Sequence, residues 1–149
     1  MILIDVNVMV AAHRADHPHH ELVHPWFAAL TSGDEQFWVP GPVWASFVRI
    51  TTSRRIFEVP TPVDDAFDFV RAVRAQPNHQ AVVPTERHIE LFESLCREYD
   101  ALGDLSADAY VAAMALDLGC TVVSLDRDFA RFSRLPWLRP GESSSRPTP

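Results

Sequence analysis

Cysteine is scarce. Only Cys96 and Cys120 occur in 149 residues, and neither belongs to a CxxC pair or a Cys/His ladder, so a zinc-finger framework is excluded and a reducing, cytoplasmic setting is the expectation. Glycine is scarce too, at five residues. No GxGxxG or GxxxxGK[ST] pattern is present, which removes the simple nucleotide-binding enzymes. Positive charge is short: thirteen Lys and Arg face twenty Asp and Glu, for a net charge of −7. Such a chain does not hold a polyanion by bulk charge. A nucleic-acid substrate would need a local basic strip, or metal ions that reverse the sign of an acidic pocket. Long apolar runs are missing as well. The opening MILIDVNVMV carries Asp5 and Asn7 and lacks a basic region and a cleavage box, so neither secretion nor membrane insertion is expected. What the chain does have is 47% apolar side chains, enough for one compact soluble domain with a real core.

Residues 2–5, ILID, are apolar on both faces, as a buried parallel strand requires. A helix is expected over 20–30, with Pro25 either kinking it or marking a new start, and TSGDE then forms a turn. After the apolar run FWV at 37–39, a second helix is expected from Pro42 to about Thr52. Helical spacing returns over 62–75 in Ala66, Phe67, Val70 and Val73. AVV at 81–83 is a second buried-strand candidate. Thr85 opens a helix with Ile89, Phe92, Leu95 and Cys96 on one side, and another starts near Ser106 with a stripe of Ala109, Ala112, Ala113 and Leu116. Gly119 stops it, and CTVVSL at 120–125 is the clearest strand. PWLRP at 136–140 is expected to form either a short last strand or a docking turn. Strands separated by helices imply an α/β sandwich over residues 1–140, followed by a disordered tail at 141–149.

The acids fall in a pattern. Asp5 and Asp126 each close an apolar strand, and Asp108 sits in the first turn of the helix before the later one. Ligands of open parallel sheets sit beyond the carboxyl ends of the strands, so these acids can meet in one crevice. Asp128 and Asp104 are further candidates, and Asn7 can orient Asp5. Converging carboxylates repel one another unless a hard divalent cation sits between them. Mg²⁺ or Mn²⁺ fits oxygen donors, and would bind a phosphate oxygen and activate water for attack on phosphorus. Taken singly, each Asp is equally at home capping a helix or facing solvent.

DVN at 5–7, LSADAYVAAMAL at 105–116 and TVVSLDRDFARF at 121–132 resemble the PIN-domain ribonucleases, and more closely the VapC toxins of bacterial toxin-antitoxin pairs. The likeness extends through WVPGPVWASFVRITTSRRIF at 38–57. It implies a three-layer α/β/α sandwich with a mostly parallel sheet, and Asp5, Asp108 and Asp126 as catalytic metal ligands for Mg²⁺. Asn7 is the companion of Asp5, with Asp128 as an assistant. The resemblance also implies an RNA substrate, a VapB-like antitoxin and a homodimer. Relatives carry a glutamate three residues before the arginine of the second helix; here Ser46 stands there, before Arg49. A serine brings no charge, so one firmly held ion at most is expected in the free protein.

Other features compete for attention. HELVH at 20–24 matches HExxH, which would make a zinc metalloprotease, but Pro25 follows directly and no third ligand is assigned. A solvated helix face is the preferred reading there. Arg49, Arg54 and Arg55 form the dense basic feature and suit RNA phosphates, with surface pairing as their bland alternative; Arg71 and Arg74 extend the strip. Trp44 and Phe47 suit an interface, and Trp26 and Trp38 suit packing. The non-enzymatic rival is a PIN-like protein that grips RNA or a partner without cutting, in keeping with Ser46.

Overall fold

The computed structural model describes residues 1–142. Four short strands form one sheet: β1 (Ile2–Ile4), β2 (Phe37–Trp38), β3 (Thr121–Val123) and β4 (Trp137–Leu138), in the order β2-β1-β3-β4. Every neighbouring pair is parallel, with Leu3 opposite both Trp38 and Val122. Parallel pairing demands crossovers, and helices supply them. These are α1 (Val6–His13), α2 (His20–Thr31), α3 (Gly41–Thr51), α4 (Val63–Arg74), α5 (Arg87–Glu98) and α6 (Asp104–Leu118). Helix α1 packs on α2 and α3, α3 on α4, and α5 on α6, giving the helical layers of an α/β/α sandwich.

The central strands are apolar on both faces because both are covered. Leu3, Ile4, Val122 and Val123 are all buried, which is why they lack the alternation of a half-exposed sheet. Helix α6 fits close to the sheet through Ala109, Ala112, Ala113 and Ala115, each fully buried. Small side chains there let the helix approach β3 and fix where its second turn lies. Gly119 ends the helix at φ +64°, and the Cys120 N–H reaches back to the Ala115 carbonyl at 2.8 Å. A residue with a Cβ resists that left-handed geometry, so glycine suits the stop.

Several local expectations change. The run VNVMVAAH forms α1, an unanticipated helix whose Val8 to Ala12 are all buried. Pro25 does not break α2, which runs through it to Thr31. AVV at 81–83 is not a strand: it is extended coil, with Val83 84% exposed. The edge of β2 is instead met by His79 and Gln80, the latter donating to the Phe37 carbonyl at 2.8 Å. Thr85 docks the start of α5 onto α6 by donating from its N–H and its hydroxyl to Asp117, both at 2.7 Å. Phe47 is fully buried against Phe69 rather than at an interface, whereas Trp44 is half-buried. The expected tail begins in a turn at Gly141 and Glu142, and residues 143–149 lie outside the described residues. No helix among the described residues is long and apolar enough to cross a membrane.

Candidate metal centre

The carboxyl ends of β1 and β3 are tied together. The Asp5 N–H donates to the Val123 carbonyl at 3.0 Å, so the residues just past each strand fall side by side. Asp5 also caps α1, its Oδ1 accepting from the Val6 N–H at 2.7 Å. Its Oδ2 accepts from the Ser124 hydroxyl at 2.7 Å and from Asn7 Nδ2 at 2.9 Å. Asn7 spans the two strand ends by taking the Leu125 N–H on Oδ1 at 2.9 Å while donating from Nδ2 to Ser124 Oγ at 2.9 Å. Ser124 in turn accepts the Asp126 N–H at 3.0 Å. One buried hydroxyl therefore fixes both Asp5 and the backbone of Asp126.

Sequence reasoning misses Ser124. Its signal is a lone polar residue at the end of the apolar strand TVVSL, two places before an acid. Fully buried, it must find hydrogen-bond partners, and the only ones that serve the site are those it has.

Asp126 opens a short 3₁₀ turn, Arg127–Arg131, and accepts the Asp128 N–H at 2.8 Å. That turn folds Asp128 back toward Asp126. Helix α6 begins at Asp104, so Asp108 lies in its second turn, one turn along from Asp104, rather than in the first. The result is a group of three: one carboxylate oxygen each from Asp108, Asp126 and Asp128 lie within 4.8 Å of one another. Asp108 is half-buried and the other two are exposed. Asp5 stands behind them, 5% exposed, and borders one cavity of about 290 Å³ together with Asp108 and Ser46.

Charge in this group is only partly compensated: Arg131 Nε lies 3.2 Å from Asp128 Oδ1, while among the described residues no cation pairs with Asp108 or Asp126. Burial pushes the Asp108 carboxyl up to about 7, and the Asp5, Asp126, Asp128 and Asp104 carboxylates add to the shift in that order. Burial raises Asp5 as well, against the lowering effect of its bonds to Ser124, Val6 and Asn7. An all-carboxylate oxygen set with no histidine or thiol suits a hard divalent cation, and the energy of the empty cluster falls when one enters. Among the described residues this is the only group of three such side chains. Among the described residues no third ligand joins the HELVH segment: His20 Nδ1 bonds the Ala11 carbonyl at 2.8 Å, and its ring lies 4.8 Å from that of His24.

The raised Asp108 carries a stability consequence. Between the ordinary carboxylate range and about pH 7, the folded protein keeps a proton that the unfolded chain has lost. The stability this contributes is complete below the unfolded value and is lost as pH rises through the folded one. Asp108→Asn cannot ionise, so in chelator at about pH 8 it is expected to unfold a few degrees higher than wild type. Because Asp108 is partly exposed, solvent screening reduces the gain to about 1–2 kcal/mol, and the gain shrinks toward about pH 4. Equal thermal midpoints for the two proteins at about pH 8 would show that the acids do not press on Asp108.

The predicted basic residues lie apart from the acids in the chain but on exposed positions. Arg49 is on α3, and Arg54 and Arg55 are in the turn after it. Among the described residues none of the three enters an ion pair, whereas Arg71 is paired with Asp68.

Comparisons with known proteins identify the family and the fold. A family model described as the PIN domain matches residues 2–135. Ribonuclease VapC25 of Mycobacterium tuberculosis is 57% identical over 140 residues, covering 94% of this chain and 99% of the relative. The VapC ribonuclease Mb2897 of Mycobacterium bovis is 43% identical over 140 residues, covering 94% and 95%. Among solved structures, VapBC2 of Rickettsia felis bound to a promoter DNA fragment superposes with a TM-score of 0.68 at 15% identity, covering 93% of this chain and 98% of that one. VapC20 of Mycobacterium tuberculosis, a sarcin-ricin-loop-cleaving toxin, gives 0.65 at 17% identity, covering 87% and 93%. Likeness at that level of identity establishes the fold.

Proposed function

Because this chain belongs to the VapC family of PIN-domain ribonucleases, we propose that it is the toxin of a toxin-antitoxin pair, a metal-dependent endoribonuclease that hydrolyses RNA phosphodiester bonds. The observation that carries this reading is the convergence of Asp108, Asp126 and Asp128 beyond the ends of parallel strands, in front of the buried Asp5. Asp5, Asp108 and Asp126 are the residues proposed as catalytic ligands. The structure favours Asp128 as a full fourth participant, since it shares the three-residue group. Asp104 acts at longer range, through charge.

The donor set fits Mg²⁺ or Mn²⁺. A divalent cation held there supplies positive charge to the phosphoryl oxygens and makes water a stronger acid. The chain's own residues do the rest. An ionised carboxylate offers about four lone-pair directions; Asp5 spends three, on Val6, Asn7 and Ser124, and keeps one on Oδ1 free. Asn7 and Ser124 thus aim that free direction without neutralising the charge. A cation held there would favour the ionised form of Asp108, so at neutral pH occupancy of the site would be linked to proton release.

Arg49, Arg54 and Arg55 are proposed to hold the RNA backbone. Replacing Arg54 and Arg55 together by alanine should weaken RNA binding and flatten the slope of log affinity against log salt by about 0.7 for each phosphate that is no longer neutralised. An unchanged slope, measured by fluorescence anisotropy across a salt series, would assign both arginines elsewhere.

A VapB-like antitoxin and a second copy of the chain are the proposed protein partners. Solved relatives include toxin-antitoxin complexes, and Val59, Val63 and Phe67 leave apolar surface near the start of α4. The decisive experiment for the enzyme is cleavage of mixed-sequence RNA with Mg²⁺, its arrest by chelator and its return on adding Mg²⁺ back. Binding without cleavage at any Mg²⁺ or Mn²⁺ concentration would leave a PIN-domain protein that grips RNA, the outcome to which the uncharged Ser46 points.

A further inference from the structure

The cavity that holds Asp5, Ser46 and Asp108 has another part that phosphodiester chemistry does not use. Pro42, Val43, Phe92 and Tyr110 also line it. Phe92 comes from α5 and Tyr110 from α6, both half-buried, with ring centroids 5.2 Å apart and planes at 90°. Tyr110 is held from behind: its hydroxyl bonds His88 Nε2 at 3.1 Å, and the His88 ring packs against it edge to face. The ring is therefore a fixed surface rather than a swinging one.

We propose that this apolar part receives one nucleobase of the RNA, on a nucleotide flanking the scissile phosphate, with Phe92 and Tyr110 as its stacking surface. The inference rests on the ribonuclease reading and deepens it by naming what the site recognises besides phosphate. Size supports a single base: at about 290 Å³ the cavity lies just under the range of roughly 300–1,000 Å³ typical of drug-sized ligands. Charge supports it as well. The acids repel phosphate until a cation is present, whereas the base is the neutral, planar part of a nucleotide and can lie against carbon beside them. Stacking on aromatic rings suits every base, because each has a π face. Acids and rings border the same cavity, so one bound nucleotide can meet both.

The test uses short oligoribonucleotides in which either nucleotide flanking the cleavage site is replaced, in turn, by an abasic residue or by 2-aminopurine. In wild type, the abasic residue at one of the two positions should lower kcat/KM about tenfold or more. Phe92→Leu, which keeps apolar volume and loses the ring, should lower it by a similar factor on the intact oligonucleotide and add little on the abasic one, because both changes remove the same stacking interaction. In Asp126→Asn protein, made to bind without cutting, 2-aminopurine at the same position should lose fluorescence on binding, and adding Phe92→Leu should restore most of it. Thermal midpoints check that each variant folds. Independent, multiplying effects of Phe92→Leu and the abasic residue would overturn the proposal, as would equal quenching with and without Phe92. RNA readouts that ignore Phe92→Leu would give the cavity to a protein side chain instead. If wild type cleaves no RNA at all, the ribonuclease reading fails, and the fluorescence arm still decides the base pocket.

Discussion

Asp5→Asn is expected to lower Mg²⁺-dependent RNA cleavage by at least about a thousandfold while leaving a cooperatively folding protein. The two side chains have almost the same shape, so what changes is charge and the direction of donors. Asp5 Oδ1 takes the Val6 N–H and Oδ2 takes both Asn7 and Ser124. An amide has only one oxygen, and either orientation of it turns an NH₂ group toward donors. With the oxygen facing Asn7 and Ser124, the NH₂ points where Oδ1 kept its free lone pair, and a cation is repelled there. With the oxygen facing Val6, the NH₂ confronts the Asn7 amide, and Ser124 must reverse its hydroxyl. Both orientations remove one negative charge from the group proposed to attract a dication, and electrostatic stabilisation of a phosphoryl transition state is steep in local charge. Folding is less affected, because the substitution also removes a charge that burial disfavours; loss of one good bond costs about 1–3 kcal/mol in the opposite direction. Single-turnover cleavage and a thermal melt in chelator distinguish the two effects. Activity within tenfold of wild type, with a normal melt, would place the ion entirely on Asp108, Asp126 and Asp128.

The acids are legible because backbone position is cheap to read from sequence. An apolar run ending in Asp marks a buried strand and its carboxyl end, and in a parallel sheet those ends lie on one side. That logic places Asp5 and Asp126 near each other without knowledge of the strand order. It cannot rank them. Asp128 joins Asp108 and Asp126 because Asp126 caps a short 3₁₀ turn, its Oδ1 accepting the Asp128 N–H, and such a turn has no periodicity to betray it. Helix α1 is invisible for the opposite reason: Val8 to Ala12 are apolar one after another because all five are buried, and a helix covered so widely shows no amphipathic stripe. AVV misleads for lack of context. β-branched residues favour a strand only where an edge is free to pair, and the edge of β2 is met by His79 and Gln80 before residues 81–83 arrive. HELVH has the right spacing on a real helix. A metal site also needs a third ligand from elsewhere in the fold, and none comes.

Ser46 is where charge is missing from the site. It lies on α3, half-buried, on the wall of the cavity that Asp5 and Asp108 also border. A hydroxyl there offers a neutral oxygen, whereas a glutamate would reach further and bring a full negative charge. Ser46→Glu is therefore expected to tighten Mg²⁺ or Mn²⁺ binding by about tenfold or more, since a dication gains both a hard oxygen ligand and opposite charge. The same substitution adds a like charge beside carboxylates that already repel one another, so the metal-free protein should lose stability at about pH 8, and Asp108 should hold its proton more tightly still. Metal binding should accordingly release more protons and steepen with pH. Turnover need not follow affinity: an interaction that stabilises bound substrate and transition state equally leaves the chemical barrier unchanged. Calorimetric titration of wild type and Ser46→Glu with Mn²⁺ at two pH values, alongside single-turnover cleavage, separates these effects. Tighter binding with a larger proton release places position 46 against the ion. Unchanged affinity together with unchanged apo stability would mean that the side chain at 46 points to solvent, and that three carboxylates and Asp5 are the whole of the site.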